Sequence, residues 1–347
     1  MSWPRSAAAK TLLAIAISAV GGFAINATGA PAGWLMGGSL AVAIAALLGV
    51  GVHIPRWLRD FTFVMTGLSM GTNVARDSLS LLAQWPVTVA ALAIELALII
   101  GLTGYMLRKL FKLDPGTAYL SSFPGHLSFV MGIAAAGVGD PRQITIIQVI
   151  RILLLTVCVP IGAMFLPVGH GLLERDTHVA SLPDLALIGS VCLATGFVFT
   201  RLGVPAGYAL GAMAAATIAK FTGNLDGVMP PLLLTGSYIL LGALMGARFA
   251  GITLQEFGKA AVGGLIATAM VAAICTVVAL GASTLVDMPF GQIWLGIAPG
   301  ALEGMGALGI ALGFDTAFIA AHHVARLLLL TIAIPLVVMI VRPRQTD

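Results

Sequence analysis

Two arginines, Arg151 and Arg326, stand well inside long apolar segments, where a charge is costly and therefore suggests a function. Each opens the same run of residues, Arg-x-Leu-Leu-Leu-Thr-x-x-x-Pro. One helical turn earlier lie Gln148 and His323, on the helix face that carries the arginines. A guanidinium is a planar fork that suits a carboxylate, sulfonate or phosphate. These four residues therefore predict a binding centre for an anion.

A structural role is the alternative for both arginines. They could pair with Asp140, Asp315 or Glu303, or donate hydrogen bonds to unwound backbone carbonyls, and the two roles do not exclude each other. Glu303 could instead carry a proton, because burial favours the neutral form of a carboxyl group. Glu95 also lies inside an apolar segment, and we expect a structural pairing for it, although the sequence names no partner.

Two further apolar segments, 115–138 and 290–313, are each interrupted by a Pro-Gly pair. Irregular backbone inside a membrane is tolerated only where protein buries it or where it lines a cavity, so a repeated break indicates a site. The helix that restarts after each break presents free N–H groups and the positive end of its dipole, which favour an anion. The predicted substrate-binding residues are Pro124, Gly125, His126, Ser128, Gln148, Arg151, Pro299, Gly300, Glu303, His323 and Arg326.

The arginines and the breaks belong to an internal repeat. Matching positions lie 174 or 175 residues apart along nearly the whole chain, and they include Pro31-Ala32-Gly33 with Pro205-Ala206-Gly207 and the Gly-x-x-x-Gly motifs at Gly67 and Gly242. We therefore divide the chain into a first repeat at 1–168, a linker at 169–182 and a second repeat at 183–347, which together form one membrane domain.

The composition indicates an integral membrane protein. Only 9% of the residues are charged, whereas a soluble domain carries about 25%. Apolar stretches long enough to cross a hydrocarbon core of about 30 Å recur from end to end. We predict an all-α protein in a bacterial plasma (inner) membrane, crossing it many times.

The loop charges predict that the two repeats are inverted. Lys and Arg concentrate in opposite sets of equivalent loops in the two halves, and such residues mark cytoplasmic loops. Inversion requires an odd number of crossings per half. We therefore expect about five transmembrane helices and one re-entrant helical hairpin in each repeat, with both termini cytoplasmic. The alternative is that each broken segment crosses as two half-helices, which would make the repeats parallel.

The remaining side chains predict neither a metal nor another cofactor. A copper or iron site needs converging His and carboxylate ligands, and the six histidines show no such spacing. No phosphate-binding loop is present. The net charge of +4 is too small and scattered to predict nucleic acid as a partner. The expected partners are the lipid bilayer and a small anionic solute, and the sequence also allows a homodimer.

The repeated Pro-Ala-Gly segments, the two Pro-Gly breaks and the paired Arg-x-Leu-Leu-Leu-Thr-x-x-x-Pro runs resemble the bacterial AbrB membrane-protein family over nearly the whole chain. Members of that family carry a tandem duplication of this unit. Some have been labelled ammonia monooxygenases, a label that the scattered histidines do not support. The architecture is also similar to that of elevator-type carriers with paired re-entrant hairpins, which is an analogy between folds.

Together these patterns predict a secondary transporter of a small organic anion, coupled to protons or sodium, and not an enzyme. A membrane regulatory or accessory protein, whose arginines are purely structural, is the first alternative. A membrane oxygenase and a passive channel are the others, and the residues favour them less.

Overall fold

The computed structural model describes residues 6–74, 84–125, 127–165 and 178–341. Within these ranges the chain is helical, apart from turns, loops and one isolated bridge between Val179 and Val228, so the predicted all-α class is confirmed. The helices are α1 (Ala7–Asn26), α2 (Gly33–Leu47), α3 (Arg56–Thr72), α4 (Trp85–Leu98), α5 (Gly104–Leu110), α6 (Pro115–Ser122), α7 (Leu127–Ala135), α8 (Pro141–Phe165), α9 (Leu182–Arg201), α10 (Gly207–Phe221), α11 (Pro231–Gly246), α12 (Leu254–Ser283), α13 (Phe290–Ile297), α14 (Leu302–Leu312) and α15 (Thr316–Val341).

Seven helical segments of the described chain are long and apolar enough to cross a membrane. They are Ala7–Asn26, Trp85–Leu110, Pro141–Val159, Leu182–Arg201, Pro231–Phe249, Leu254–Ser283 and Thr316–Met339. Their outward faces carry large apolar side chains such as Val20, Leu187 and Leu328, each more than half exposed. These helices have the length and composition of a multi-pass membrane protein.

Helices α2 and α10 begin in the same way, at the Pro-Ala-Gly motifs. Ala32 and Ala206 cap them with left-handed backbone, at φ of 54° and 51°. Gly33 and Gly207 follow, and both pack directly against the backbone of the preceding helix, where a Cβ would clash. The motif thus joins two antiparallel helices through a close turn, once in each half of the sequence.

The helices form two layers. One contains α1, α2, α3, α9, α10 and α11, and the other contains α4 to α8 and α12 to α15. Within the first layer, α3 packs on α10 and α11 packs on α2, each through a Gly-x-x-x-Gly motif. Helix α14 lies where the layers meet: Gly306 faces Met70 of α3, and the Tyr238 hydroxyl of α11 donates to the carbonyl oxygen of Ala307 at 3.1 Å.

Helix α12 runs in the direction opposite to that of α4 and α5. The end of α5 and the starts of α8 and α12 together line one cavity of about 360 Å³. At the other end of the layer, the Asp287 backbone N–H beyond α12 donates to the side-chain oxygen of Gln84, just before α4, at 3.0 Å. Near that end Phe318, at the start of α15, packs against Trp85, at the start of α4. Since α8 starts at the cavity, α15 and α8 start from opposite ends of the layer.

The close contact between α3 and α10 generates a prediction about stability. A Cβ at Gly71 would clash with the Met213 backbone carbonyl and the Ala216 side chain, whereas Gly189 in α9 has open space around it. We expect Gly71→Val to lower stability by about 1–3 kcal/mol through overpacking. Thermal unfolding of purified protein measures this. The control Gly189→Ala, in open space, should leave the melting temperature nearly unchanged. Equal melting temperatures for the two variants would contradict the close contact at Gly71.

Candidate functional site

Each broken segment turns back on itself, so that its two ends meet. The backbone N–H of Asp140, after α7, donates to the hydroxyl of Thr117 near the start of α6 at 2.7 Å. The backbone N–H of Asp315, after α14, donates to the side-chain oxygen of Gln292 near the start of α13 at 3.4 Å. The α6–α7 and α13–α14 pairs are therefore two helical hairpins, which we call hairpin 1 and hairpin 2.

The Pro-Gly breaks form the tips of these hairpins. Helices α6 and α13 have eight residues each, α7 has nine and α14 has eleven. At about 1.5 Å per residue, each extends roughly 12–17 Å, about half the thickness of a hydrocarbon core. Gly125 has a φ of 123°, a conformation that side chains rarely adopt, which explains the glycine at tip 1.

Arg151 closes the exposed backbone at tip 1. Its Nη2 donates to the carbonyl oxygen of Phe123 at 3.0 Å, and its Nη1 lies 3.5 Å from the carbonyl oxygens of Ser121 and Ser122. These carbonyls end α6 and have no continuing helix to bond them. The guanidinium thus acts as the cap of α6, and only 4% of Arg151 is exposed.

Arg326 closes tip 2 in the same manner. Its Nη1 donates to the carbonyl oxygens of Ala298 at 2.6 Å and Ile297 at 3.4 Å, and its Nη2 to that of Gly300 at 3.1 Å. Arg326 is 2% exposed. The predicted hydrogen bond from each arginine to unwound carbonyls is therefore present in both halves.

The residues one turn before the arginines also point toward the hairpins. Gln148 donates through Nε2 to the carbonyl oxygen of Leu120 at 3.1 Å, which adds a second donor for the end of α6. His323 bonds through Nδ1 to the carbonyl oxygen of Ile319 in its own helix at 2.9 Å. Because a carbonyl only accepts, the ring proton lies on Nδ1, and the buried Nε2 has no hydrogen-bond partner among the described residues.

The two tips and the two arginines converge. Gly125 of tip 1 faces Leu327, which directly follows Arg326, and Leu330, one helical turn after Arg326; an added Cβ would lie 3.4 Å and 3.5 Å from them. The two guanidinium groups are close enough to interact electrostatically. In the described part of the chain neither forms an ion pair with a carboxylate. The predicted pairing with Asp140, Asp315 or Glu303 is therefore wrong for the described residues.

Glu303 lies at the first turn of α14, directly after tip 2, and is 6% exposed. Its carboxylate bonds to its own backbone N–H and interacts electrostatically with Arg248, in the short turn that follows α11. Glu303 thus supplies the negative charge that a helix N-terminus favours. In hairpin 1, Ser128 lies at the equivalent place in α7, but its side chain is outside the described structure, and His126 is outside the described residues altogether.

The sequence analysis missed the surroundings of Glu95. Fully buried in α4, Glu95 interacts electrostatically with Arg326 and faces the Cys275 thiol of α12. One turn later, Ile99–Thr103 forms a π-helical turn, a feature frequent at functional sites. The polar residues at the hairpin bases, Thr117 and Gln292, were also missed, although their positions match in the repeat and they interrupt apolar runs.

The adjacent histidines His322 and His323 contact different neighbours. His322 Nε2 lies 2.7 Å from the Thr88 hydroxyl of α4, and its ring packs on Phe318 with centroids 4.0 Å apart. Among the described side chains no group of three or more His, Cys, Asp or Glu residues is placed to hold a metal ion.

A comparison with known protein families now bears on this arrangement. The model of one family, described as "Transition state regulatory protein AbrB", matches residues 34–342, which contain both hairpins and both arginines. The chain belongs to the AbrB family. The resemblance noted from the repeated motifs is thereby confirmed.

Two relatives accompany the AbrB family match. The chain is 26% identical over 362 residues to the "Uncharacterized protein YhjN" of Bacillus subtilis (strain 168), covering 94% of this chain and 91% of that protein. It is 25% identical over 303 residues to the "Putative regulator AbrB" of Escherichia coli (strain K12), covering 86% of each chain. Both similarities extend over nearly the full length of the chains.

The arginine caps predict a specific loss of stability in this AbrB-family chain. Arg326→Lys keeps the charge but replaces the fork with a single ammonium, which cannot bond all three carbonyls of tip 2. We expect a loss of about 1.5–3 kcal/mol, the range for hydrogen bonds to charged groups, measured by thermal unfolding. Arg142→Lys is the control, because Arg142 pairs with Glu256 on the surface and is worth at most about 1 kcal/mol. Equal effects would contradict the capping role of Arg326.

Proposed function

We propose that this AbrB-family chain is a secondary membrane carrier for a small organic anion, which binds where the two hairpin tips converge. The observation that carries the proposal is a pair of nearly fully buried guanidinium groups, neither of which forms an ion pair among the described residues; Arg326 has only the longer-range charge of Glu95 near it. Two buried positive charges repel each other and are costly to maintain. A bound anion would offset that cost.

The donors that remain free support this role. Both arginines use their Nη atoms on the tips, and both Nε–H groups are buried without a hydrogen-bond partner in the described structure. His323 Nε2 is a third buried polar atom without a partner on the same helix as Arg326. Buried polar groups are normally satisfied, so these atoms are candidates for ligand contacts.

The architecture favours a carrier in which the halves are inverted. By the sequence repeat, α12 corresponds to α4 with α5, and α15 corresponds to α8, and each pair runs in opposite directions. The hairpins whose ends meet would then be re-entrant from opposite sides of the bilayer. The layer that contains the paired hairpins packs on the other layer through α8 and α14, and this arrangement favours an elevator-like movement of the hairpin layer past the other one.

The distribution of charge gives the proposed orientation. The end of α5, with Arg108 and Lys109, lies on the same face as the start of α12, with Lys259. We infer from the preference of such residues for the cytoplasm that this is the cytoplasmic face of a bacterial inner membrane, with both termini on it. Lys220 lies on the other face, where it donates to the carbonyl oxygen of Thr72 at 2.6 Å and so ends α3.

A regulatory membrane protein is the second candidate. The name of the Escherichia coli relative favours it, and so do the hydrogen bonds by which the arginines hold the backbone of the tips. In that case the arginines would only close the hairpins. The two candidates differ in whether a solute binds.

A ligand screen tests the proposal. Purified protein is heated with a panel of small carboxylates, sulfonates and phosphates, beside Arg151→Gln, Arg326→Gln and the surface control Arg142→Gln. An anion at 100 times its dissociation constant should stabilise wild type and the control by about 2.7 kcal/mol. It should stabilise neither Arg151→Gln nor Arg326→Gln, when each variant is compared with its own melting temperature without ligand.

The opposite result would favour the regulator. If no anion stabilises the wild type, or if both centre variants fold and respond like the control, the proposed anion centre is wrong.

Labelling of cysteines tests the orientation. In a chain with Cys158→Ser, Gln255→Cys at the start of α12 and Thr284→Cys at its end place exposed thiols on opposite faces. We expect a membrane-impermeant maleimide to label Thr284→Cys in intact cells, and Gln255→Cys only after the cells are opened. Labelling of both in intact cells, or the reverse pattern, would contradict the proposed orientation.

A further inference from the structure

Glu95 is the least compensated buried acid in the described structure. It is 0% exposed in the middle of the segment Trp85–Leu110, and neither carboxyl oxygen has a hydrogen-bond partner among the described residues. In contrast, a backbone N–H donates to the carboxylate of Glu303. The carboxylate of Glu256 accepts two hydrogen bonds from Arg142, and the Glu256 backbone N–H donates to the Thr253 hydroxyl at the start of its helix. An isolated carboxylate is too costly in such surroundings unless it takes up a proton or has a charge nearby.

The groups that face Glu95 come from two helices. From α12, Cys275 presents its thiol to the carboxyl group and lies 3.7 Å from the carbonyl oxygen of Trp294 in α13. From α15, Arg326 is the charged group that interacts with Glu95 among the described residues. His322 and His323 are the other titratable groups of α15 in this region, and both feel the charge of Arg326.

These surroundings suit a proton better than a metal cation. Hard cations require several oxygen ligands, whereas Glu95 faces a thiol and a guanidinium. The π-helical turn Ile99–Thr103 begins one turn after Glu95 and interrupts the helix at this point. Such a turn loosens the regular bonding of the backbone, which offers a place where the helix can change shape.

The cluster of Glu95, Cys275 and Arg326 has no counterpart at the positions related to it by the repeat. Met270 occupies the equivalent position in α12, which is continuous from Leu254 to Ser283 without a π-helical turn. Arg151 caps tip 1, and in the described part of the chain no acid interacts with it. Glu95 is therefore not needed to build a hairpin tip, and its role is specific to the centre at Arg326.

We propose that Glu95 is the proton-binding site of the carrier, and that its proton sets the net charge of the region around Arg151 and Arg326, which we call the arginine centre. The inference rests on the proposed anion transport. When Glu95 takes a proton from the water on one side, Arg326 loses its negative neighbour and the centre attracts an anion. When the proton leaves to the water on the other side, the carboxylate again offsets Arg326 and the anion is released. One proton then moves with one anion.

The protonation step is tested by infrared difference spectroscopy of the full-length protein in lipid nanodiscs, with pH as the only variable. Lowering the pH should produce the carbonyl stretch of a buried carboxylic acid. Glu95→Gln should abolish that band, while the surface control Glu256→Gln should keep it. Cys275→Ser should shift its frequency, because it places a hydroxyl, a stronger hydrogen-bond donor, where the thiol faces the carboxyl group.

Three infrared results would overturn the proposal. The band could survive in Glu95→Gln, it could disappear in Glu303→Gln instead, or it could be constant from acid to alkaline pH. A constant band would mean that Glu95 is a permanently neutral structural group. If Glu95→Gln does not fold, the frequency shift in Cys275→Ser still identifies Glu95 as the source of the band, and an unshifted band would count against it.

The link to the anion is tested separately with succinate and pyruvate as probes in the thermal screen. In wild type, the rise in melting temperature caused by the anion should grow as the pH falls. In Glu95→Gln the rise should be present and independent of pH. If it depends on pH in this variant as it does in wild type, the coupling is contradicted. The infrared band is measured without an anion, so the two tests can give different results. If the band shows that Glu95 titrates but no anion of the panel changes the melting temperature, the transport proposal is rejected and Glu95 remains a proton-binding site.

Discussion

The structure depends on how the ends of two broken helices are satisfied. A helix that stops inside an apolar interior exposes carbonyl oxygens, and leaving these without donors costs several kcal/mol each in lipid. Arg151 and Arg326 supply the donors, each bridging two or three carbonyls with one planar group. Because the donors come from α8 and α15, these helices must pass directly beside the tips, which fixes where the two hairpins can lie.

That solution places two positive charges in the interior. An uncharged donor such as Gln148 could satisfy a single carbonyl, as it does for Leu120. The guanidinium satisfies several but adds a charge that the described residues leave without a direct ion-pair partner. The structural function of the arginines and the proposed affinity for anions would therefore follow from one choice of residue. The acid Glu95 lies close enough to Arg326 for the two charges to interact, without forming an ion pair.

The sequence predicted the helical class, the two breaks and the buried arginines that lie beside them. The segments 115–138 and 290–313 were recognised as interrupted from Pro124-Gly125 and Pro299-Gly300, and the arginines from their depth in apolar runs. The ends of the hairpins and the surroundings of Glu95 could not be predicted, because they depend on which helices become neighbours. Cys275 lies in an apolar run like any core residue, and no local pattern shows that it faces Glu95. The π-helical turn likewise has no signature in the residues 99–103, which read as ordinary apolar helix.

Transport by counterflow tests the central claim most directly. Proteoliposomes are loaded with an unlabelled carboxylate that stabilises the protein, and the entry of the labelled compound is followed for wild type and for Arg151→Gln with Arg326→Gln, which removes both charges. The account predicts saturable entry for wild type and none for the double variant, provided that the variant is folded. Equal entry in both, or no entry in folded wild type with any stabilising anion, would contradict it.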